Sequence, residues 1–312
     1  MNTRAWSLFA AVSVVWGVPY LLIKIADDGG IPPVVLAWGR MVVGAAILLG
    51  LALRAGSLRG LRPRWRWLAI YAVVELAIPF PLIALGERHV ASSLAAIIVA
   101  TVPLIVAVLS FWFAPSERVR GRRLLGLVIG LAGVALLVGL QATGSADSLL
   151  AAGGILVAAI GYAFGALIIG RHLGDLDARA AMGTVLALAA ALLTPLAVLD
   201  WPARAPSAGA LAAGGALGVF CTALAFVLMA TLIVEIGPTR AVVITYVNPV
   251  VALILGVALL GEHPGLGAVG GLVLILAGCW LSTRPAVGRV REPRLVPREP
   301  PSPAPASAGD GR

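Results

Sequence analysis

Ten near-continuous apolar stretches of about 20 residues, each bounded by charge, proline or glycine, leave this chain few ways to fold. They run Trp6–Ala26, Pro33–Leu53, Trp65–Leu85, Ala91–Phe113, Leu124–Leu140, Leu149–Gly170, Ala178–Leu199, Ala208–Val234, Arg240–Leu260 and Gly265–Ser282. A segment apolar on all sides for that length crosses a bilayer as a helix, because in hydrocarbon only a helix pairs all of its own backbone groups. Strands of a membrane barrel would instead alternate apolar and polar residues. With 60% hydrophobic and 12% charged residues, the composition also excludes a soluble enzyme, a disulfide scaffold and a disordered chain. The expectation is an all-α polytopic membrane protein with ten transmembrane helices, embedded in the bilayer of a bacterial cytoplasmic membrane.

The formal net charge of +9 is a topological label rather than a sign of nucleic acid. In the ten-helix arrangement, nineteen of the 23 cations fall at the termini and in loops on one side: Arg4, Arg54, Arg59, Arg62, Arg64, Arg66, Arg118, Arg120, Arg122, Arg123, Arg171, Arg179, Arg240 and six after Thr283. The opposite loops hold Arg88 and Arg204, and Lys24 and Arg40 lie within spans. Because the cation-rich side is cytoplasmic, both termini are expected inside. A miscounted helix would have mixed the two sets.

The chain also resembles itself. Shifted by 146 residues, Pro103 falls on Pro249 and Ser93 on Thr239; shifted by 145, Glu117 falls on Glu262 and Gly133 on Gly278. Residues 1–141 and 149–284 therefore read as two five-helix repeats, followed by a Pro- and Arg-rich cytoplasmic tail at 285–312 that cannot build a core. Five is odd, so the second copy enters the membrane from the opposite side. Inverted repeats of this kind are the frame of many secondary transporters.

Four stretches carry a family resemblance: VVWGVPYLLIKIA, PPVVLAWGRMVVGAAILL, SER followed by GRRLLGLVIGLAGVALL, and NPVVALILGVALLGEHPGLGAVGGLVLILAGCWL. Across about residues 6–282 the chain resembles the drug/metabolite transporter superfamily, specifically its EamA-type ten-helix members. The resemblance implies an N-in, C-in carrier with a central cavity shared by two repeats, and export of amino acids, metabolites or drugs in most members. A lipid or lipid-precursor flippase of the same architecture is the alternative, and a polytopic transferase a more distant one.

The charges inside spans are the candidate site, since a charge in hydrocarbon faces a partner or a water-filled cavity. At about 1.5 Å per residue, Glu75 lies near mid-membrane and Arg40 about 5 Å shallower. A pair between them is allowed if their helices face each other. Proton exchange at Glu75 and carboxylate recognition by Arg40 are the functional readings. Lys24, the sole lysine, either snorkels to the outer interface or lines the cavity; the resemblance implies a similar cation at the end of this helix. Arg40 falls on Leu186 and Glu75 on Cys221 in the second copy, so the charges have no counterpart.

Pro103 and Pro249 are expected to break their helices as hinges, with Asn248 offering a donor and an acceptor beside Pro249. Trp16, Tyr20, Trp38, Tyr162 and Tyr246 are candidates for an amphipathic cavity wall. Gly126 with Gly130, and Gly267 with Gly271, are close-packing pairs within or between protomers, so a monomer or a homodimer fits. The three histidines are scattered, Cys221 and Cys279 lie in different helices, and the only lysine is no Walker lysine. No metal site, cofactor or enzymatic centre is expected; the partner is a small-molecule substrate.

Overall fold

The computed structural model describes residues 3–113, 121–142, 145–236 and 244–283, and among these every regular element is helical. Glu117, Thr239, Arg240 and the tail from 284 lie outside the described residues. The first half comprises α1 (Thr3–Gly17), α2 (Pro19–Asp28), α3 (Pro33–Arg54), α4 (Trp65–Tyr71), α5 (Pro79–Gly86), α6 (Ser92–Val99), α7 (Val102–Phe113) and α8 (Arg122–Ala142). The second comprises α9 (Ala146–Ile168), α10 (Ala178–Leu199), α11 (Ala208–Gly218), α12 (Ala225–Ile236), α13 (Ile244–Leu260) and α14 (Leu266–Thr283). Taken through their internal breaks, seven helical stretches are long and apolar enough to cross a membrane: Thr3–Asp28, Pro33–Arg54, Arg62–Gly86, Ser92–Leu109, Ala146–Leu173, Ala178–Leu199 and Ala208–Ile236. Shorter apolar helices occupy the other three runs. Leu199, Val234 and Leu266 are each more than 80% exposed, a surface suited to lipid and not to water.

The breaks have local causes. Pro19 opens α2 after Gly17, where a side chain would strike Val251 of α13. Between α4 and α5 the helix widens into a π-helical stretch, Ala72–Ala77, in which the Ile78 N–H donates to Val73 five residues back. Pro79 and Pro81 supply no N–H and would clash with carbonyls four residues earlier, so the ladder loosens ahead of them. A second π-helical stretch, Val219–Leu224, joins α11 to α12 without a proline. There the Thr222 hydroxyl donates to the Leu217 carbonyl at 2.8 Å, a side chain inserted into the ladder.

The two prolines expected to act alike do not. The span through Pro103 is broken at Ala100 and Thr101, and Pro103 sits in the first turn of α7, where its missing N–H costs nothing. Pro249 lies inside continuous α13.

Helices at equivalent places in the two halves pack on one another: α3 along α10, and α8 along α14. Glycines permit the second approach, since a side chain at Gly278 would meet the backbone of Gly126 and Gly130, and one at Gly133 that of Gly271. Three of the four expected packing glycines are therefore used within the protomer.

Loop contacts sort into two ends. At one, Arg88 holds Asp27 through Nε and Nη2 at 2.6 to 3.1 Å, Lys24 holds Asp28 at 3.2 Å, and the Ser207 N–H donates to the Gly29 carbonyl. At the other, Arg4 meets Glu235 at 3.4 Å, and Arg64 meets Asp175 at 3.0 Å and the His172 carbonyl.

Candidate functional site

Arg40 stands on the inner face of α3, only 9% exposed. Its Nε donates to Thr222 Oγ1 at 3.2 Å, and its guanidinium lies 4.1 Å from the centre of the Phe80 ring. Thr222 is fully buried and belongs to the second π-helical stretch, so Arg40 spans the seam between the halves. The approach is possible because residue 44 is glycine: a side chain there would press on the Thr222 methyl. Among the described residues Arg40 makes no ion pair, and Nε is its one hydrogen-bonded nitrogen.

Glu75 sits in the first π-helical stretch against α9. A side chain at Gly165 would overlap its carboxylate, and one at Gly161 would overlap the Val74 carbonyl. The two α9 glycines, one helical turn apart, form a notch that receives the widened turn. Tyr71 lies beside the Glu75 carboxyl against Gly165, while Oε2 is shielded from solvent and has no partner.

The allowed Arg40–Glu75 pair is thus not formed. The depth arithmetic placed the residues at similar heights, but a π-helical turn adds a residue, which swings Glu75 by about 100° around the axis. It meets α9 rather than Arg40. Tyr162 lies in the neighbourhood of both, and Tyr20 in that of Arg40.

The other candidates are scattered. Lys24 is consumed by its own helix neighbour Asp28 near one end. Trp38 Nε1 donates to Thr194 Oγ1 at 3.1 Å and its ring meets Trp201 edge to face. Trp16, in a separate apolar cluster, meets Phe226 in the same geometry. The Asn248 amide, oriented with its nitrogen toward the carbonyls of Ser13 (3.1 Å) and Ile244 (3.0 Å), fastens α13 to α1. Tyr246 packs partly buried against the main core. Two surface recesses, about 230 Å³ by His89 and Asp147 and about 310 Å³ by Trp201 and Arg204, reach neither Arg40 nor Glu75. Among the described residues no His, Cys, Asp or Glu cluster could hold a metal.

The arrangement is a guanidinium with donors to spare, an aromatic face and two tyrosines at the seam of two helical halves, with a carboxyl nearby. It has the parts for binding a small organic anion.

The model of the EamA-like transporter family matches twice, over residues 4–139 and 149–284. The chain belongs to the EamA-like transporter family. It is a multi-pass cell-membrane transporter. It is 32% identical over 266 residues to the "Uncharacterized inner membrane transporter YedA" of Escherichia coli K12, covering 81% of each chain. It is 30% identical over 304 residues to the "Probable terminal-alkyne amino-acid exporter" of Streptantibioticus cattleyicolor, covering 94% of this chain and 97% of that one. A solved crystal structure shares the fold with a TM-score of 0.64 at 21% identity, over 91% of this chain and 97% of the other.

Two residues of consequence had no strong sequence signal. Thr222 is one hydroxyl in an apolar run, 182 positions from its partner. Glu87, beside Arg88, reads as a solvated loop residue yet is 2% exposed.

Proposed function

We propose that the chain is a secondary transporter that exports small organic solutes, such as amino acids, metabolites or drugs, by alternating access, with ten helices in two inverted repeats and both termini cytoplasmic. The observation that carries the reading is Arg40, a buried guanidinium bridging the halves with most of its N–H donors unclaimed. In an apolar bundle such a group is costly unless a ligand completes it. A carboxylate fits the planar fork, and the name of the S. cattleyicolor relative supports an amino acid as the solute class. Phe80, Tyr20 and Tyr162 would flank its apolar part. Glu75 exchanges the coupling proton, its carboxyl buried beside Tyr71.

Two findings favour inverted repeats. The family model matches once in each half, and equivalent helices pair, as they would about a two-fold axis in the membrane plane. The end with Asp27, Arg88 and Glu262 is then the arginine-poor, outer one.

The test is solute counterflow in proteoliposomes across a panel of amino acids, other carboxylates and carboxyl-free drugs, with and without a pH gradient. Each charge-assisted bond contributes about 1.5–3 kcal/mol. Arg40→Ala is therefore expected to raise the half-saturating concentration of carboxylate solutes on the order of 10- to 100-fold. Carboxyl-free solutes should be spared. Wild-type handling of carboxylates by the variant would refute the assignment.

A further inference from the structure

Four segments meet at the end carrying Asp27 and Arg88. The N-terminus of α6 is not capped by its own flanking residue; it is capped from the other half of the chain. Glu262, in the turn after α13, accepts the Ser92 N–H at 2.7 Å through Oε1 and the Ser93 N–H at 3.1 Å through Oε2. These are orphan donors at the positive end of a helix, and a carboxylate is their strongest acceptor. The clamp is tight: a side chain on Gly256 would meet Glu262 Oε2 at 2.5 Å.

Ser92 serves a second carboxyl at the same time. Its Oγ lies 2.8 Å from Glu87 Oε2 and 3.3 Å from the Tyr20 carbonyl oxygen of α2. A hydroxyl has one proton to give. A carbonyl cannot donate, so both contacts are satisfied together when Glu87 carries a proton and donates to Oγ while Oγ donates to Tyr20. Glu87 itself is 2% exposed, and its Oε1 has no partner. The groups that face it are Ser92 on α6, Glu262 after α13, and Tyr20, Lys24 and Asp27 on α2, with Arg40 of α3 farther off. Lys24 and Arg88 are already committed to Asp28 and Asp27. No cation pairs with Glu87 among the described residues.

We propose that this cluster is a proton-operated latch on the outer mouth: Glu262 clasps the start of α6 while Glu87 is protonated, and loss of that proton releases the clasp. Two anions on one buried serine repel each other; one anion and one acid do not. Closing takes one proton from external water onto the Glu87 carboxylate, and opening returns it. The sign follows from the buried state. Burial, and then the neighbouring Glu262, hold the Glu87 carboxyl well above its usual range in the closed form, against the opposing pull of the Ser92 hydroxyl and Lys24. The closed form is therefore favoured at low pH and lost as pH rises through that elevated value.

The proposal rests on the outer assignment of this end, but its test reads distance and not transport, so the two can fail separately. Spin labels at His89→Cys and His263→Cys, both exposed, are introduced with Cys221→Ala and Cys279→Ala into the full chain in liposomes. Their separation is measured from pH 5 to 9. The expected result is a short distance at low pH and a longer population that grows above the ordinary carboxyl range of about 4.3. Glu87→Gln should remove the pH dependence and keep the short distance throughout. Glu262→Gln removes the repulsion that drives opening, and should flatten the growth of the longer population with pH. A wild-type distance that ignores pH, or a wild-type pH profile in Glu87→Gln or in Glu262→Gln, would overturn the latch.

Discussion

Of the three π-helical stretches among the described residues, Ala72–Ala77 and Val219–Leu224 are six residues each and occupy matching places in the two halves, while Ile169–Leu173 follows α9. Both are received by a glycine on a neighbouring helix, Gly165 for the first and Gly44 for the second. Their contents differ. The first carries Glu75; the second carries Cys221 and Thr222, with Thr222 holding an arginine that belongs to the first half. The same asymmetry extends to α3 and α10, where Arg40 in one corresponds to Leu186 in the other, a fully buried core residue. Backbone shape is repeated while polar chemistry is not. Matched shapes would suit the exchange of gating roles proposed above, whereas one solute site needs only one set of charges.

The sharpest way to break that comparison is to fill the two glycine notches. Gly165→Ala places a methyl group inside the volume of the Glu75 carboxylate, and overpacking of that kind costs about 1–3 kcal/mol or more. Transport is expected to fall to near background, together with a clear drop in melting temperature in detergent. Gly44→Ala presses on two side-chain methyl groups, Thr222 at 2.8 Å and Leu186 at 3.1 Å, and should be milder in both measurements. Equal damage from the two would mean that the notches serve packing only.

Next in size is Glu75→Gln, which keeps the shape and removes the titration. Stimulation of transport by a pH gradient is expected to vanish while counterflow without a gradient persists. If gradient stimulation survives in Glu75→Gln and is lost in the second-half variant Cys221→Ala, the asymmetry is drawn the wrong way round.

The all-helical membrane fold was legible because its signals are local. Hydropathy accumulates residue by residue, and Pro103, Pro249, Gly133 and Gly278 keep their order whatever packs beside them. The candidate site was half legible. Arg40 and Glu75 stood out as charges in hydrocarbon, but which way each faced depended on rotation about its helix. Pro79 and Pro81 hinted at the widened turn, and Gly161 with Gly165 marked its receiver, yet nothing local joins the two features. Glu87 gave no signal for a related reason: its loop is drawn inward where Gly86 lies against Ile155. That contact is 69 residues distant in sequence. Long-range partners leave no periodicity.

Thr222→Val tests the smaller half of the seam. The swap keeps the shape and removes the hydroxyl that both receives Arg40, a charge-assisted bond of about 1.5–3 kcal/mol, and donates to Leu217, a neutral one of about 1 kcal/mol. A several-fold rise in half-saturation for carboxylate solutes is expected, less than for Arg40→Ala. A rise as large as that of Arg40→Ala would mean that Thr222 touches the solute itself.

The smallest effect lies in how the halves begin their helices. In the first half α2, α3 and α5 start with prolines and no side-chain cap, and α6 borrows Glu262. In the second, α9, α10 and α11 are capped by Ser145, Asp177 and Ser207. Asp177 accepts the N–H groups of Arg179 and Ala180 and pairs with the Arg179 guanidinium, which together hold its carboxyl down at about 2. A depressed carboxyl stabilises the fold above its unfolded value of about 3.9 and ceases to do so as pH falls through about 2. Asp177→Ala should cost about 1 kcal/mol at neutral pH, seen as a drop in detergent melting temperature. The gap from wild type should narrow between pH 4 and 2. Solvent screens the ion pair, so Asp177→Asn, which keeps a capping oxygen, is expected to lose only a fraction of that amount. If Asp177→Asn costs as much as Asp177→Ala, the charge and not the cap holds this helix start, and the second half depends on ion pairs where the first depends on proline.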